Sequence, residues 1–415
     1  MEAAESEEET EIIDIQALAE NDEASIIRVV QSILVGAINK RATDIHIASH
    51  PDRTWIRYRI DGVMVDAPYQ LGPEFWKAVL SRVKIMSAID IRYSPVPQDG
   101  KFPMKVGGVD YDIRVATAST IYGEKAVMRV QKKDAEIPTL DMLGFESNEQ
   151  ALIKQLLDSD HGMMIICGPT GSGKTRTLSA AMYMIDRQRW NVITAENPVE
   201  IRIPFVEQTA IDGQQMTFPK FVPAALRQDP DYIMIGETRD KETTEEVIRA
   251  SITGHIVMTT LHTNSAAGCP ARLIDMGGEP FLITDSLKVV IAQRLIRRLC
   301  PNCCRPARGI PTDEELREYG VNPAWLDGSQ GLLEPVGCKV CTGTGYSGRI
   351  AIAEGYGMSS AIRKIILKEN ADTEKIRKEM IAQGGKPLLQ GAVELAGRRI
   401  TSIQEALAIR DVETR

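Results

Sequence analysis

The feature that most constrains this chain is the stretch GPTGSGKT at 168–175. It follows directly on an apolar run, MMIIC at 163–167, and precedes residues 174–187, which are spaced as a helix. The pattern G-x-x-x-x-G-K-[ST] between a strand and a helix wraps a phosphate chain, because successive backbone N–H groups and the helix N-terminus all face the anion. Gly168, Pro169, Thr170, Gly171, Ser172 and Gly173 supply the cradle, and Gly171 and Gly173 let the backbone approach closely. Lys174 reaches the β/γ phosphates, and the Thr175 hydroxyl suits a ligand to Mg²⁺, an ion that borrows its other oxygens from phosphate, carboxylate and water. ATP and Mg²⁺ are the expected occupants.

A phosphate loop needs an acidic partner on a neighbouring strand to hold the metal or orient an attacking water. Two carboxylates qualify: Glu237, closing the run YIMIGE at 232–237, and Glu196, in TAENPVE at 194–200. His255 and His262 flank an apolar strand in TGHIVMTTLHTNSA (253–266). Seven positions apart, they would point to opposite faces of an extended strand, which disfavours a shared metal. A γ-phosphate sensor at one end fits better.

Short apolar strands recur at 191–194, 232–235 and 256–260 with helical segments between them, which favours a mostly parallel, helix-flanked sheet. Ahead of this domain, residues 26–38 follow helical spacing. WIRYRI (55–60), Asp61-Gly62 and a strand at 63–65 read as a hairpin. A helix at 73–89 and strands near 109–116 and 125–131 complete a small α/β domain ending near Asp134 to Pro138. Arg57, Arg59, Arg114 and Arg129 fall on strands with apolar alternate neighbours, which suits either a solvated sheet face or arginines reaching a nucleotide. After Cys341 a glycine-rich stretch leads into helices, the last opened by Ser402 with Glu405 as a capping box.

Seven cysteines include two C-x-x-C units, Cys300/Cys303 and Cys338/Cys341, separated by 34 residues. That spacing matches a structural Zn²⁺ site, with Cys303 favoured over its neighbour Cys304. Cys167 and Cys269 read as small core or loop residues.

The 49 basic and 57 acidic side chains give a net charge of −8, but ten of the acidic ones lie within residues 1–27, so the other 388 residues carry about +2. A near-neutral body argues against a nucleic-acid binder working by phosphate neutralisation, and the cluster Arg294, Arg297, Arg298 is expected to cap a helix beside the zinc site. No run of eighteen apolar residues exists and the N-terminus is acidic, so a soluble cytoplasmic protein is expected.

Taken together, the motifs make the chain resemble the type II secretion and type IV pilus assembly ATPases from about residue 26 to 410. The carriers are ATDIHI (42–47), RYRIDG (57–62), PQDG (97–100), DIRV with IYGEK (112–125), the phosphate loop, LRQDPD (226–231), GETRD (236–240), the histidine segment, AQRLIRRLC (292–300) and TGYSGR (344–349). The resemblance implies an acidic tail (1–25), a PAS-like α/β domain (26–135), a linker (136–147), a RecA-like phosphate-loop core (148–299), a zinc-binding subdomain (300–345) and a C-terminal helical part (346–415). It makes Glu237 the first choice for orienting water, Glu196 a support for metal or water, His262 a member of the catalytic set, and Arg114 and Arg129 the arginines that contact nucleotide. It further implies a homohexamer that drives pilin or pseudopilin assembly through an inner-membrane platform protein, peripheral to the membrane on its cytoplasmic side, with no nucleic acid. Asn197 stands where relatives carry aspartate, and Pro223 where many carry arginine. Only an acidic segment of about 25 residues precedes the shared region, so membrane recruitment is expected to differ. Asn197 leaves an ATP-binding scaffold with little turnover as an alternative, and a DNA-uptake or conjugation-related ATPase as another.

Overall fold

A computed structural model describes residues 23–92, 95–133, 136–309, 311–329 and 331–409. Nearly all of the acidic tail expected at the N-terminus lies outside these residues. The chain divides into two compact units, Met1–Ala135 and Glu136–Arg415.

The first unit is a six-stranded antiparallel sheet built from β1 (Asp44–Ser49), β2 (Thr54–Ile60), β3 (Val63–Asp66), β4 (Gln98–Val106), β5 (Val109–Thr120) and β6 (Gly123–Lys132), in the order β3-β2-β1-β6-β5-β4. Strand alternation puts Ile45, Ile47, Ile56, Tyr58, Ile113, Val115 and Met128 into one core with apolar residues of the helices Glu23–Asn39 and Trp76–Met86. Ile33, Leu34 and Ala37 of the first helix are spaced to cover that sheet, as the periodicity predicts. A buried ion pair, Lys84 Nζ to Glu124 at 2.7 Å, fastens the second helix to β6. The hairpin at 54–66 forms as expected. β4 was not expected: Phe102, Met104 and Val106 do alternate with exposed residues, but Gly100 and Pro103 within the run disguise it as a strand.

The second unit carries a seven-stranded sheet of β7 (Gly162–Cys167), β8 (Val192–Glu196), β9 (Glu207–Ala210), β10 (Tyr232–Ile235), β11 (Ile256–Leu261), β12 (Leu287–Leu299) and, after the two-residue strands β13 (Arg305–Pro306) and β14 (Leu333–Glu334), β15 (Tyr346–Gly357). Its order is β15-β12-β7-β11-β10-β8-β9. All neighbours are parallel except β12 with β15. β7, β8, β10 and β11 are buried along their whole length, which is why they read as continuous apolar runs. Their side chains feed two cores, one on each face.

Two expectations fail here. Arg294, Arg297 and Arg298 do not cap a helix: they lie on β12, and Arg297 pairs with Glu405 at 2.6 Å. The segment from 346 does not go straight into helices either, since 346–357 is an edge strand paired with β12. β12, flanked by β7 and β15, is interrupted by Gln293 and Arg294, and β15 by Gly348 and Gly355, so neither shows the unbroken apolar run that identifies β7, β10 and β11. The capping box at the last helix is half formed. Ser402 accepts the Glu405 N–H at 3.2 Å, but the Glu405 carboxylate is held by the charged Arg297 guanidinium. Segment 136–147 contains the helix Leu140–Leu143 and buries Leu140 and Phe145 in the second unit's core. Among the described residues, no helix is long and apolar enough to cross a membrane.

Candidate active site

Because β7, β8, β10 and β11 are parallel, the loops leaving their C-terminal ends gather along one edge of the sheet, where open α/β sheets place their ligands. There the chain leaves β7 into residues 168–173 and enters the helix Lys174–Tyr183. Gly168 has φ 150°, and a Cβ there would lie 2.5 Å from the Gln293 carbonyl and 2.7 Å from Ser172 Oγ. Only glycine lets the loop close this tightly. Ser172 Oγ is buried without a hydrogen-bond partner, and Lys174 Nζ donates to the carbonyls of Gly168 (2.7 Å) and Pro169 (3.0 Å). Burial lowers the Lys174 pKa, a cost that a bound anion offsets. A glycine turn, a helix N-terminus, a desolvated lysine and an unpaired hydroxyl fit a polyphosphate, and Thr175 adjoins them as a ligand for its Mg²⁺.

Glu237 follows β10. Its carboxylate pairs with Arg239 at 2.5 Å and lies 4.0 Å from His262 Nε2, just beyond β11. Burial, then the positive charge of Lys174, lowers the His262 pKa, so the ring is neutral near pH 7. Thr260 Oγ1 donates to the Gly236 carbonyl at 2.6 Å and Thr238 Oγ1 shares a hydrogen bond with Thr259 Oγ1, locking the two loops together. His255 is not part of this group. It sits at the opposite end of β11, its Nδ1 3.0 Å from the Ala250 carbonyl, so six strand residues spanning ~20 Å separate the two rings.

Glu196 ends β8 and is 4% exposed. Thr194 Oγ1 (2.7 Å) and Gln208 Nε2 (2.9 Å) both donate to its Oε1. Burial raises its pKa, and those two hydrogen bonds work against the shift. Arg114 and Arg129 belong to the first unit, on one cross-strand row reading Lys101, Arg114, Arg129, Asp44, Arg59. Asp44 holds Arg129 at 3.2 Å and Arg59 at 3.8 Å, while Arg57 stacks 3.7 Å over Trp55.

Sequence reasoning passed over Gln293. It is 1% exposed, its Nε2 donates to the Ser172 carbonyl (2.7 Å) and its Oε1 accepts from Thr177 (2.8 Å), so β12 props the phosphate loop from beneath. No local pattern marked it, because β12 was not itself legible as a strand.

Away from this edge, the sulfurs of Cys300, Cys303, Cys338 and Cys341 all lie within 4.8 Å of one another. Cys300–Cys338, Cys303–Cys341 and Cys338–Cys341 are 3.9, 3.8 and 3.7 Å apart. Four sulfurs held tetrahedrally ~2.3 Å from Zn²⁺ would be ~3.8 Å apart, so the cluster has the size of that site. Backbone N–H groups of Gly337 and Gly345 donate to Cys303 and Cys341, as donors around a thiolate ligand do. Cys304 stands outside the cluster, and Cys167 and Cys269 are buried in the sheet's core.

The profile of the type II/IV secretion system protein family matches residues 19–408. The chain belongs to that family. Among secretion-family relatives, it is 39% identical over 407 residues to the type IV pilus assembly ATPase PilB of Myxococcus xanthus, covering 97% of this chain and 70% of that protein. It is 37% identical over 401 residues to type II secretion system protein E of Pseudomonas aeruginosa, covering 94% and 77%. The ATPase DotB of Legionella pneumophila superposes with a TM-score of 0.64 at 20% identity over 93% of this chain and 94% of that one. The pilus retraction motor PilT with bound ADP does so at 0.59 and 24%, over 91% and 96%. These two solved structures share the RecA-like phosphate-loop fold with this secretion-family chain.

Proposed function

We propose that this chain is the subunit of a hexameric ATP-hydrolysing motor at the cytoplasmic face of an inner membrane, which assembles a type IV pilus or type II secretion pseudopilus by working on a membrane-embedded platform protein. The observation that carries the reading is the meeting of Lys174, Glu237 and His262 on one sheet edge, in a chain that shares 39% of its residues with a pilus assembly ATPase. Residues 168–174 hold the phosphates, and Thr175 ligates Mg²⁺, which neutralises phosphate charge when bound. Glu237 orients the attacking water. Neutral His262 donates to the γ-phosphate, Glu196 supports water or metal, and Arg114 and Arg129 supply positive charge from the first unit.

The test is ATP turnover and binding by the wild-type, Lys174→Ala and Glu237→Gln proteins, with filament assembly scored in cells carrying each. Lys174→Ala should lose binding. Glu237→Gln should bind ATP within a few-fold of wild type yet lose turnover by about 10²-fold or more and assemble nothing. Filaments assembled by Glu237→Gln would sink the motor. Tight ATP binding with negligible wild-type turnover would put an ATP-gated scaffold in its place.

A further inference from the structure

Glu354 lies within β15 and is 0% exposed. A carboxylate at such depth is costly unless fixed donors satisfy it. Its Oε1 accepts the N–H of Ala266 at 2.8 Å, and Oε2 accepts the N–H of Leu388 at 3.2 Å. These donors come from distant parts of the chain. Ala266 follows His262 by four residues, whereas Leu388 opens the helix Leu388–Gly397, whose N-cap, Pro387, offers no side-chain cap. One carboxylate therefore caps a C-terminal helix and anchors the loop that carries the candidate phosphate sensor.

Neighbouring contacts stiffen the same loop. Arg294 Nη2 lies 3.3 Å from Asn264 Oδ1, and Cys167 Sγ is 3.6 Å from the Ser265 carbonyl. Gln293, adjacent to Arg294, supports the phosphate loop. Residues 264–266 cannot shift independently of the helix at 388 without stranding the buried N–H of Ala266 or of Leu388, which is strongly disfavoured.

We infer that Glu354 is a positioning residue that couples the nucleotide-facing loop at 262–268 to the C-terminal helix Leu388–Gly397, so that occupancy of the phosphate site is felt by that helix. This rests on the ATP reading above. Glu354→Gln keeps the shape, but its amide nitrogen must face one of the two N–H donors, which breaks the link at one end. Glu354→Asp keeps the charge and is one methylene too short to span both.

The experiment is amide hydrogen exchange on the full chain, with and without a non-hydrolysable ATP analogue and Mg²⁺, beside steady-state kinetics. In the wild type, exchange should slow together at 168–175, 262–268 and 388–392. In Glu354→Gln the first two should still slow while 388–392 no longer responds, and kcat should fall about tenfold with KM for ATP within twofold. Glu354→Asp should behave likewise, and stands in if Glu354→Gln does not fold. Wild-type protection at 262–268 with none at 388–392 overturns the coupling whatever the variants do, as does a Glu354→Gln protein that transmits like wild type. An analogue that protects nothing in the wild type overturns the coupling and the ATP reading together.

Discussion

At the scale of single residues, Glu196 offers the sharpest case. Its folded pKa is raised, so the folded state favours the protonated form. The associated stability is present below the ordinary carboxylate pKa and is lost as pH rises through the folded value. At pH 7.5 the ionised group is a burden on the fold, and Glu196→Gln should raise the melting temperature by about 1–3 °C. That gain should shrink toward zero as pH falls below 4.5, the ordinary glutamate value. Turnover should fall in the same variant, since a neutral amide cannot support metal or water as a carboxylate does. Calorimetry across pH checks the first outcome and steady-state kinetics the second. Lys174 was legible because a phosphate loop demands its residues at fixed offsets. Thr194, Gln208 and Gln293 were not, because their partners are brought to them by strand order, which no local pattern encodes.

At the scale of elements, fully buried parallel strands announced themselves as apolar runs, and Ile33, Leu34 and Ala37 announced an amphipathic helix. β12 stayed hidden because its apolar run is punctuated by Gln293 and by arginines whose partners, Asn264 and Glu405, are far off in sequence. The four-cysteine cluster joins two turns separated by 34 residues, and the apolar residues beside the second turn, Val336 and Val340, are exposed rather than packed. Structural zinc in small fingers contributes an apparent ~10–16 kcal/mol, so local order here should depend on the metal. Removing zinc with a chelator, or making Cys338→Ser, should expose 300–345 to limited proteolysis while ATP binding at 168–175 persists. Unchanged cleavage in a preparation shown to be metal-free would mean that the surrounding hydrogen bonds hold the turns unaided.

At the scale of the whole molecule, Lys174, Glu237 and His262 belong to the second compact unit, and Arg114 and Arg129 to the first. If Arg114 contacts a transferring phosphate, Arg114→Ala should lower turnover about a thousandfold, as loss of an arginine finger does. Which subunit supplies that arginine is a separate question that mixing answers. In a ring with head-to-tail interfaces, each site supplied by a neighbour needs an intact Glu237 on one subunit and an intact Arg114 on the next. Equal parts of Arg114→Ala and Glu237→Gln, co-assembled, would make about one site in four whole, so turnover should recover to at most about a quarter of wild type. Sites completed within one subunit would recover nothing, because every chain would lack one essential group. Wild-type turnover per subunit that rises with protein concentration must accompany the first outcome unless the ring is already assembled, which sizing decides.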